Sequence, residues 1–596
     1  MYTHCRISFK ISAKSPVELK SILYHFIIMV PWSAALVGCL QITAAFASRP
    51  LHWSPCQTKA LDCATLTVPL EYADPTTSSA HAHIPIARYN ATVPNSQRKG
   101  ALLTNPGGPG SSGLDFLFNG AGEGLSNITG GYYDIVSWDP RGAGKAKPLL
   151  QCFSNAGKES KASASVPAAA EIEYSQFRNE SYLPEYRDAI REYDSAVGEV
   201  AGSCAGYNSS ALYTSSAAYV ARDMAAIADA VEGRPNSTVN YWGLSYGTIF
   251  GAEFIQTFPE RVGRVVFDGV FDAGDNSGPY TQQLPNDELS VRDAIDDLVS
   301  MCAMAGPRGC AFSRGQNETE LRRRLASIQK GLYEKPDSSM TVGTFSFIMY
   351  SFLKLPTTWP AVLLGLRDLE NGKPDTLLGL LTDATTSSVD PSAPDTGSFA
   401  GFPLQCTDNA PSHNISLAHV SQLVRSISLK EKTPWLNADL STLSFCRNFP
   451  NKRPRVPNLG ASRLYTNETN AVLSAKNTSA VLIVNALHDP TTPLKSAEGL
   501  QRWLPSSSQL VTRRGPGHTT ISLASLGLVQ SIREYLLDGR LPGHREMFDV
   551  SQMVFSPGVS TNTTTPEPVF NGSYSRRERM LLESTYQVFL AFISLP

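Results

Sequence analysis

The chain has 596 residues, 42% of them hydrophobic, so it is long enough to bury at least one large core. Its 51 Lys and Arg residues nearly balance its 53 Asp and Glu residues, and the formal net charge is -2. Without a long basic run, this balance argues against a nucleic-acid partner. The charged fraction is only 17%, so surface polarity must come from Ser, Thr and Asn, which suits a glycosylated extracellular surface.

The N-terminus has the pattern of a targeting segment. A positively charged stretch from Arg6 to Lys20 precedes residues 21–48, in which no Asp, Glu, Lys or Arg occurs. The run ends in Ala45-Phe46-Ala47, the small-x-small form that signal peptidase cuts. We interpret residues 1–47 as a secretory signal peptide. The alternative is a retained membrane anchor, because the uncharged stretch is long enough to span a bilayer.

Removal of the leader would leave an even number of cysteines, which in an exported chain indicates disulfides. Sequence proximity favours the pairs Cys56–Cys63, Cys152–Cys204, Cys302–Cys310 and Cys406–Cys446. Free core thiols are the alternative, and no CxxC or HxxxH spacing predicts a metal site. Asn-x-Ser/Thr sequons occur at Asn90, Asn127, Asn179, Asn208, Asn236, Asn317, Asn414, Asn467, Asn477, Asn562 and Asn571. Together the sequons predict passage through a glycosylating secretory pathway.

Short apolar runs that end in Gly- or Asp-rich turns predict the buried strands of a mostly parallel sheet. They are Ala101–Thr104, Tyr133–Trp138, Val239–Trp242, Val262–Phe267, Ala480–Asn485 and Gln509–Thr512. Helical patterns lie between them, the clearest over residues 220–231 with Gly233 as a stop. This alternation predicts an α/β doubly wound sheet.

About two hundred residues separate the fourth of these strands from the fifth. A segment of that length is too long for a loop and contains helical patterns, so we expect it to fold as a helical cap over the sheet. The predicted organisation is a signal peptide at 1–47, core at 48–274, cap at 275–475, core at 476–545 and a C-terminal tail at 546–596. Within the tail, residues 556–572 are expected to be flexible, and a last helix is expected over 573–595.

The sequence Gly243-x-Ser245-x-Gly247 directly follows the strand predicted at Val239–Trp242. A nucleophile on a tight strand-to-helix turn needs glycine two positions to either side, because bulkier residues would clash there. The short pattern also arises by accident in a chain rich in Ser and Gly. The preceding strand and the helical pattern that follows favour a catalytic Ser245.

A serine nucleophile needs an acid and a histidine, which follow it in the order Ser, Asp, His on such a fold. Asp489 comes just after one predicted strand, and His518 lies on a Gly-rich loop after the next. We therefore expect His518 to act as the base and Asp489 to orient it; a turn-forming Asp and a surface His are the alternatives. The competing acids are Asp268 and Asp272.

The tetrahedral intermediate requires two preorganised N–H donors. We expect one from Tyr246, and the other from Gly107 or Gly108 in the Gly-rich loop that follows the first predicted strand. A merely flexible turn is the alternative, whereas a phosphate loop is excluded because no Gly-Lys-Ser/Thr follows. No cofactor is expected. These features predict an α/β-hydrolase fold, with its mostly parallel doubly wound sheet and a large helical cap insertion.

The motifs resemble, in order, the tripeptidyl-aminopeptidase-like branch of the prolyl-iminopeptidase family. They are Pro106-Gly-Gly-Pro-Gly110, Trp138-Asp-Pro-Arg-Gly-Ala-Gly144, Gly243-Leu-Ser-Tyr-Gly-Thr248, Phe267-Asp-Gly-Val270, Asp489-Pro-Thr-Thr-Pro493 and Gly517-His518. The resemblance spans about residues 50–545. It implies an exopeptidase that releases short N-terminal peptides or residues.

Two positions depart from the family pattern. Pro106 stands where iminopeptidases proper have His, and residues 521–526 lack the Cys expected in the peptidase branch. The cap carboxylate that should bind a free α-amino group has only the candidates Asp293, Asp296 and Asp297, chosen by location. Three functions therefore stay open: a secreted aminopeptidase, a secreted esterase or small-metabolite hydrolase, and an inactive hydrolase fold used for binding. The intact catalytic set argues against the third.

Overall fold

The computed structural model describes residues 51–56, 60–73, 80–167, 183–207, 209–271, 281, 284–334, 339–385, 399–409, 412, 414–431, 437–449, 467–475, 481–555 and 567–595. The predicted signal peptide or anchor at 1–47 lies outside these residues, as does Asp272. Of the tail stretch expected to be flexible, residues 556–566 are outside as well.

Within the described ranges, ten strands form one sheet in the order β1-β2-β3-β5-β4-β6-β7-β8-β9-β10. The strands are β1 (Ser54–Pro55), β2 (Asp62–Pro69), β3 (His81–Tyr89), β4 (Ala101–Asn105), β5 (Asp134–Trp138), β6 (Val239–Leu244), β7 (Val262–Asp268), β8 (Val481–His488), β9 (Ser508–Pro516) and β10 (Met547–Phe548). The pairs β1–β2, β2–β3 and β3–β5 are antiparallel and the rest are parallel. All six predicted strands are present, five of them with later ends than predicted.

Helices follow the strands in three groups. The first comprises α1 (Gly113–Phe116), α2 (Gly122–Thr129), α3 (Ala156–Ser165), α4 (Leu183–Tyr207), α5 (Ser209–Tyr213), α6 (Ala217–Glu232) and α7 (Gly247–Thr257). The insertion after β7 contains α8 (Leu284–Gly309), α9 (Glu318–Glu334), α10 (Val342–Leu353), α11 (Trp359–Glu370), α12 (Asp375–Thr385), α13 (Gly401–Asp408), α14 (Leu417–Glu431), α15 (Asn437–Asn448) and α16 (Asn467–Ala475). The third group is α17 (Leu494–Trp503), α18 (Leu526–Asp538) and α19 (Arg576–Ile593).

Both faces of the sheet are covered, because successive residues of a strand point to opposite sides. In β6, Tyr241 belongs to the hydrophobic cluster that α6 and α7 complete with residues such as Phe250. Its neighbour Trp242 belongs to the cluster on the other face, which includes α2 and α18. This is the layered arrangement of a doubly wound sheet, and it places the carboxyl ends of the parallel strands at one edge.

Among the described residues, the helices of the insertion take part in two further hydrophobic clusters. One joins α8 to α12, with Phe345 and Trp359 among its buried residues. The other joins α13, α14 and α15 to α4, which ends before β6 and β7 and so precedes the insertion in the chain; Tyr193 and Phe445 are buried in it. The sequence placed α4 with the core, but its apolar face packs against the insertion because those helices present the matching apolar surface.

The C-terminal helix α19 packs against the sheet layer rather than extending from it. Leu581, Tyr586 and Phe589 are buried in the cluster that contains α2 and α18.

Among the described residues no single helix is long and apolar enough to cross a membrane, although α10 and residues 356–370, bent by 118° from one another, would meet that criterion together. Both lie within the buried cluster of the insertion.

Candidate active site

Ser245 lies in a tight turn between β6 and α7. Its backbone φ of 53° falls in the left-handed region, which is unusual for a residue with a side chain. A Cβ at Gly243 would lie 2.8 Å from the carbonyl oxygen of Gly247, and a Cβ at Gly247 would lie 2.5 Å from that of Asn105. Only glycine fits at these two positions, which is the physical reason for the Gly-x-Ser-x-Gly spacing.

The structure brings Ser245, His518 and Asp489 together. His518 Nε2 lies 2.9 Å from Ser245 Oγ. His518 Nδ1 lies 3.0 and 3.1 Å from the two carboxylate oxygens of Asp489. With Nδ1–H donating to the carboxylate, Nε2 can accept the serine proton as the hydroxyl attacks a carbonyl carbon. All three side chains are buried, so little water competes for these hydrogen bonds.

Asp489 is held as an anion by several donors besides the imidazole. The backbone N–H groups of Thr491, Thr492 and Thr519 donate to its oxygens, as does the Thr492 hydroxyl. Complete burial acts to raise the pKa of Asp489, but His518 and these donors outweigh it and the pKa is lowered. The carboxylate is therefore charged when the imidazole gains a proton, and it stabilises the cation.

Asp268, the competing acid, has a different contact. Its carboxylate accepts the Thr520 N–H at 2.6 Å and the Thr520 hydroxyl at 2.7 Å, and its backbone carbonyl accepts the Ser245 N–H at 2.9 Å. Burial raises its pKa to about 6, against the hydrogen bonds from Thr520 that lower it. Asp268 thus anchors the loop two residues beyond His518, and Asp489 faces the imidazole.

The oxyanion donors differ in part from the prediction. A Cβ at Gly107, where φ is +95°, would lie 2.6 Å from the backbone nitrogen of Tyr246, so the glycine lets the loop approach the turn after Ser245. However, the Gly107 N–H donates to Asn105 Oδ1 at 2.9 Å. Gly107 therefore provides close approach and not a donor. We therefore assign the second oxyanion donor to the backbone N–H of Gly108, which acts together with the backbone N–H of Tyr246.

The loop is tied to the neighbouring strand through Asp139, which directly follows β5. The hydroxyl of Ser112 donates to its carboxylate at 2.7 Å, the Leu114 N–H at 3.1 Å and the Lys145 N–H at 2.7 Å. The Trp-Asp-Pro-Arg-Gly-Ala-Gly motif thereby fixes the end of the Gly-rich loop, which is a supporting role.

The insertion contacts the turn that follows Ser245 and the loops that carry Asp489 and His518. The Ser290 hydroxyl in α8 donates to the backbone carbonyl of Asp489. The backbone N–H of His518 donates to the backbone carbonyl of Lys354, just after α10, at 3.0 Å. The Tyr246 hydroxyl donates to Asp408 in α13 at 2.7 Å. The helices of the insertion therefore lie against the catalytic edge of the sheet.

The three acids marked by location for binding a substrate amine are already paired inside the protein. Asp297 Oδ2 lies 2.6 Å from His488 Nδ1, and this hydrogen bond raises the pKa of His488 against the opposing effect of burial. Asp293 pairs with Arg292 and Asp296 with Arg322. These contacts argue against the three acids as the amine site and give His488 a structural role.

The disulfides are the four pairs that sequence proximity favoured. Cys56 is joined to Cys63, Cys152 to Cys204, Cys302 to Cys310 and Cys406 to Cys446. Among the sequon residues, Asn90, Asn236, Asn317, Asn414 and Asn571 are exposed, Asn127 is half-buried and Asn467 begins α16. Asn179, Asn208, Asn477 and Asn562 lie outside the described residues.

Four residues at the site carried no sequence signal: Ser290, Lys354, Asp408 and Phe592. The Phe592 ring near the end of α19 lies 5.7 Å from the His518 ring, between centroids. Asp408 is separated from Tyr246 by 162 positions. No motif spacing extends over such distances, so only packing could bring these side chains to the site.

Comparisons with known proteins agree with the fold. Residues 100–293 match the family model described as alpha/beta hydrolase fold, and residues 461–547 match that described as TAP-like protein. Serine protease Hip1 of Mycobacterium tuberculosis is 25% identical over 550 residues, covering 85% of this chain and 94% of the relative.

Two further relatives have different names. Tripeptidyl aminopeptidase of Streptomyces lividans is 26% identical over 528 residues, covering 85% of this chain and 88% of the relative. Carboxylesterase B of Mycobacterium tuberculosis is 26% identical over 498 residues, covering 80% and 85%. Taken with the geometry of the site, these matches show that the chain is a serine hydrolase of the α/β-hydrolase family with a TAP-like C-terminal segment.

Proposed function

We propose that the protein is an exported serine aminopeptidase that releases short peptides or single residues from free N-termini. The observation that carries the proposal is the Ser245–His518–Asp489 set, buried beneath helices that contact each catalytic loop. A site closed in this way admits chain ends more easily than the middle of a folded protein. The names of Hip1 and tripeptidyl aminopeptidase, matched over most of their lengths, support the peptidase class.

In this mechanism His518 takes the proton of Ser245 as the hydroxyl attacks the scissile carbonyl. The N–H groups of Tyr246 and Gly108 stabilise the oxyanion of the tetrahedral intermediate. The intermediate collapses to an acyl-enzyme while His518 protonates the leaving amine, and water then repeats the sequence to release the N-terminal product. Asp489 keeps the imidazole oriented and stabilises its cation throughout.

An aminopeptidase also needs a carboxylate that pairs with the substrate ammonium group. Glu288 in α8 is 1% exposed, and it lies two residues before Ser290, which contacts the backbone of Asp489. We propose Glu288 for that role on its burial and its place in α8, the helix that contacts the backbone of Asp489.

An esterase is the second candidate, because carboxylesterase B covers nearly as much of this chain as the peptidase relatives do. The same triad hydrolyses esters, and the fold hosts both reactions. The two candidates differ in whether a free amine on the substrate is required.

The test compares turnover of tripeptidyl amides with free N-termini, the same amides N-acetylated, and short acyl esters. We expect the free amides to be hydrolysed and acetylation to remove most of the activity. Equal rates on free and acetylated amides would refute the aminopeptidase proposal, and turnover of esters alone would favour the esterase.

The Glu288→Gln variant sharpens this test. It should raise KM for free-amine substrates about tenfold or more while leaving ester hydrolysis nearly unchanged, since only the former use the ion pair. Asp293→Asn, on the same helix but paired with Arg292, is the matched control and should alter neither. Equal effects of Glu288→Gln on amides and esters would argue against amine binding there.

Export is part of the proposal and rests on the disulfides and the exposed sequon residues. We expect the mature chain to begin near Ser48 and to carry N-glycans. N-terminal sequencing of secreted protein, with glycosidase treatment and mass measurement, tests both points. An intact leader in a membrane pellet would favour the anchor instead.

A further inference from the structure

The carboxylate of Asp408 connects the insertion to the turn that carries the nucleophile. It lies at the end of α13 and is buried, with 6% of the residue exposed. Its Oδ2 accepts the Tyr246 hydroxyl at 2.7 Å, and its Oδ1 accepts the Ala217 N–H at 2.8 Å. One side chain of the insertion therefore holds both the residue after the nucleophile and the first residue of α6.

The start of α13 contacts the other half of the oxyanion site. A Cβ placed on Gly401 would lie 3.1 Å from the carbonyl oxygen of Pro109, and a Cβ on Gly110 would lie 4.0 Å from Ala400 Cβ. Pro109 directly follows Gly108, the donor assigned to the loop. Helix α13 thus lies against the Gly-rich loop at one end and against Tyr246 at the other.

Tyr246 has little freedom apart from this hydrogen bond. The residue is fully buried, and its ring packs edge-to-face on Phe250 at 5.8 Å and on Phe271 at 5.5 Å. A buried hydroxyl without an acceptor would be destabilising, so the hydrogen bond to Asp408 favours the observed position of the ring. The N-terminus of α6 also favours a negative charge at Asp408, which explains why a carboxylate is tolerated there.

We propose that Asp408 is a positioning residue for the oxyanion site. By fixing the Tyr246 side chain, it fixes the backbone N–H of the same residue, one of the two donors to the tetrahedral intermediate. The disulfide between Cys406 and Cys446 joins α13 to α15 two residues before Asp408, so it holds the carboxylate in place. The proposal rests on Ser245 as the nucleophile but not on the substrate class.

The chemistry gives this role a distinct kinetic signature. The oxyanion exists only in the transition state and intermediate, so a displaced donor lowers kcat while KM stays nearly unchanged. In Asp408→Asn, the amide oxygen can keep the Ala217 N–H, while the amide NH₂ faces the Tyr246 hydroxyl. The amide cannot accept the hydroxyl proton, so the charge-assisted hydrogen bond is lost and only a weaker one, donated by the amide to the phenol oxygen, can replace it. Tyr246→Phe removes the hydrogen bond altogether.

The experiment measures the rate at which a fluorophosphonate labels Ser245, and kcat and KM on a substrate found active in the assays above. Fluorophosphonate needs the serine, the base and the oxyanion donors but no knowledge of the natural substrate. We expect Asp408→Asn and Tyr246→Phe each to slow labelling and to lower kcat about 10- to 100-fold, with KM within about twofold. The double variant should be no slower than Tyr246→Phe alone, because both substitutions act on one interaction.

A matched control separates positioning from general loss of stability. Asp194→Asn removes another buried carboxylate of the same cluster of helices, one that pairs with Arg447 in α15. It should lower Tm without changing the labelling rate. Multiplicative effects in the double variant, or a loss in Asp408→Asn no larger than in the control, would overturn the proposal. Undiminished labelling of a Ser245→Ala protein would instead overturn the nucleophile assignment itself.

Discussion

The sheet and the helical insertion both reach the catalytic centre, but by different kinds of contact. The sheet places Ser245, Asp489 and His518 directly after its strands, within a few residues of a continuous hydrogen-bonded ladder. The insertion reaches the same point through isolated polar side chains, such as Ser290 and Asp408. The reacting groups are therefore held by the hydrogen-bonded sheet, while the side chains that adjust them come from the helices of the insertion.

This difference predicts the size of mutational effects. Removing a strand-borne group should remove chemistry, whereas removing a group of the insertion should change rates, stability or pH dependence by smaller factors. The following variants test that ranking from the largest expected effect to the smallest.

Ser245→Ala should lower turnover by about 10⁵- to 10⁶-fold, because no other atom can attack the carbonyl in this geometry. The backbone conformation of the turn at Ser245 does not depend on the hydroxyl, so the protein should still fold. Hydrolysis rates measured beside circular dichroism and Tm check both points. Near-wild-type turnover in a folded Ser245→Ala protein would contradict the entire site.

The two buried acids at the ends of neighbouring strands β7 and β8 should behave unequally. Asp489→Asn should lower kcat about 10⁴-fold, because the imidazole loses the partner that fixes its tautomer and stabilises its cation. Asp268→Asn should lower it less than about tenfold, since an amide oxygen can still accept the Thr520 N–H. The comparison of kcat in the two variants decides the acid, and the opposite ranking would reassign it to Asp268.

Two disulfides offer a comparison between the sheet edge and the insertion. Replacing Cys406 and Cys446 by Ser opens a loop of 40 residues and should destabilise the protein by about 4 kcal/mol. Replacing Cys56 and Cys63 opens a loop of 7 residues and should destabilise it by about 2.5 kcal/mol. Denaturant unfolding gives the stabilities. At a temperature where both variants are folded, only the Cys406 and Cys446 variant should also lower kcat. Equal kcat values in the two variants would argue against a role of α13 in catalysis.

The smallest effect is expected at the pair of His488 and Asp297, which joins the end of β8 to α8. The pKa of His488 is raised above its ordinary value of 6.5 by Asp297, with Asp293 and Asp296 acting in the same direction. The pair therefore stabilises the fold fully below about pH 6.5, and that stability is lost as pH rises through the folded-state pKa.

Accordingly, His488→Gln should be less stable than the wild type by about 1 kcal/mol at pH 5.5, and by less at pH 8.5. Denaturant unfolding at the two pH values measures the difference. Arg292 and Arg322, which pair with Asp293 and Asp296, keep their charge over this range and cannot produce the change. A stability difference that grows with pH would exclude the pair as its source.

The sequence was sufficient for Ser245, Asp489 and His518 because each follows a short apolar strand, and a strand followed by a turn is a local pattern. Two disulfide pairs join cysteines only 7 and 8 positions apart, and the other two, 52 and 40 positions apart, followed from pairing the remaining cysteines in chain order. The oxyanion loop was located, but its donor was not, since the choice between Gly107 and Gly108 depends on Asn105, whose side chain accepts the Gly107 N–H. A hydrogen bond between residues two positions apart depends on a turn that the sequence did not specify.

Only the tertiary structure decided which helices belong together and which side chains they bring to the site. The apolar face of α4 could have packed on the sheet, yet it packs with α13 to α15, because an amphipathic helix specifies that it will be buried and not against which partner. Asp408 reaches Tyr246 across 162 positions only after that packing is complete. Local chemistry therefore determined the reacting groups, and long-range packing determined their support.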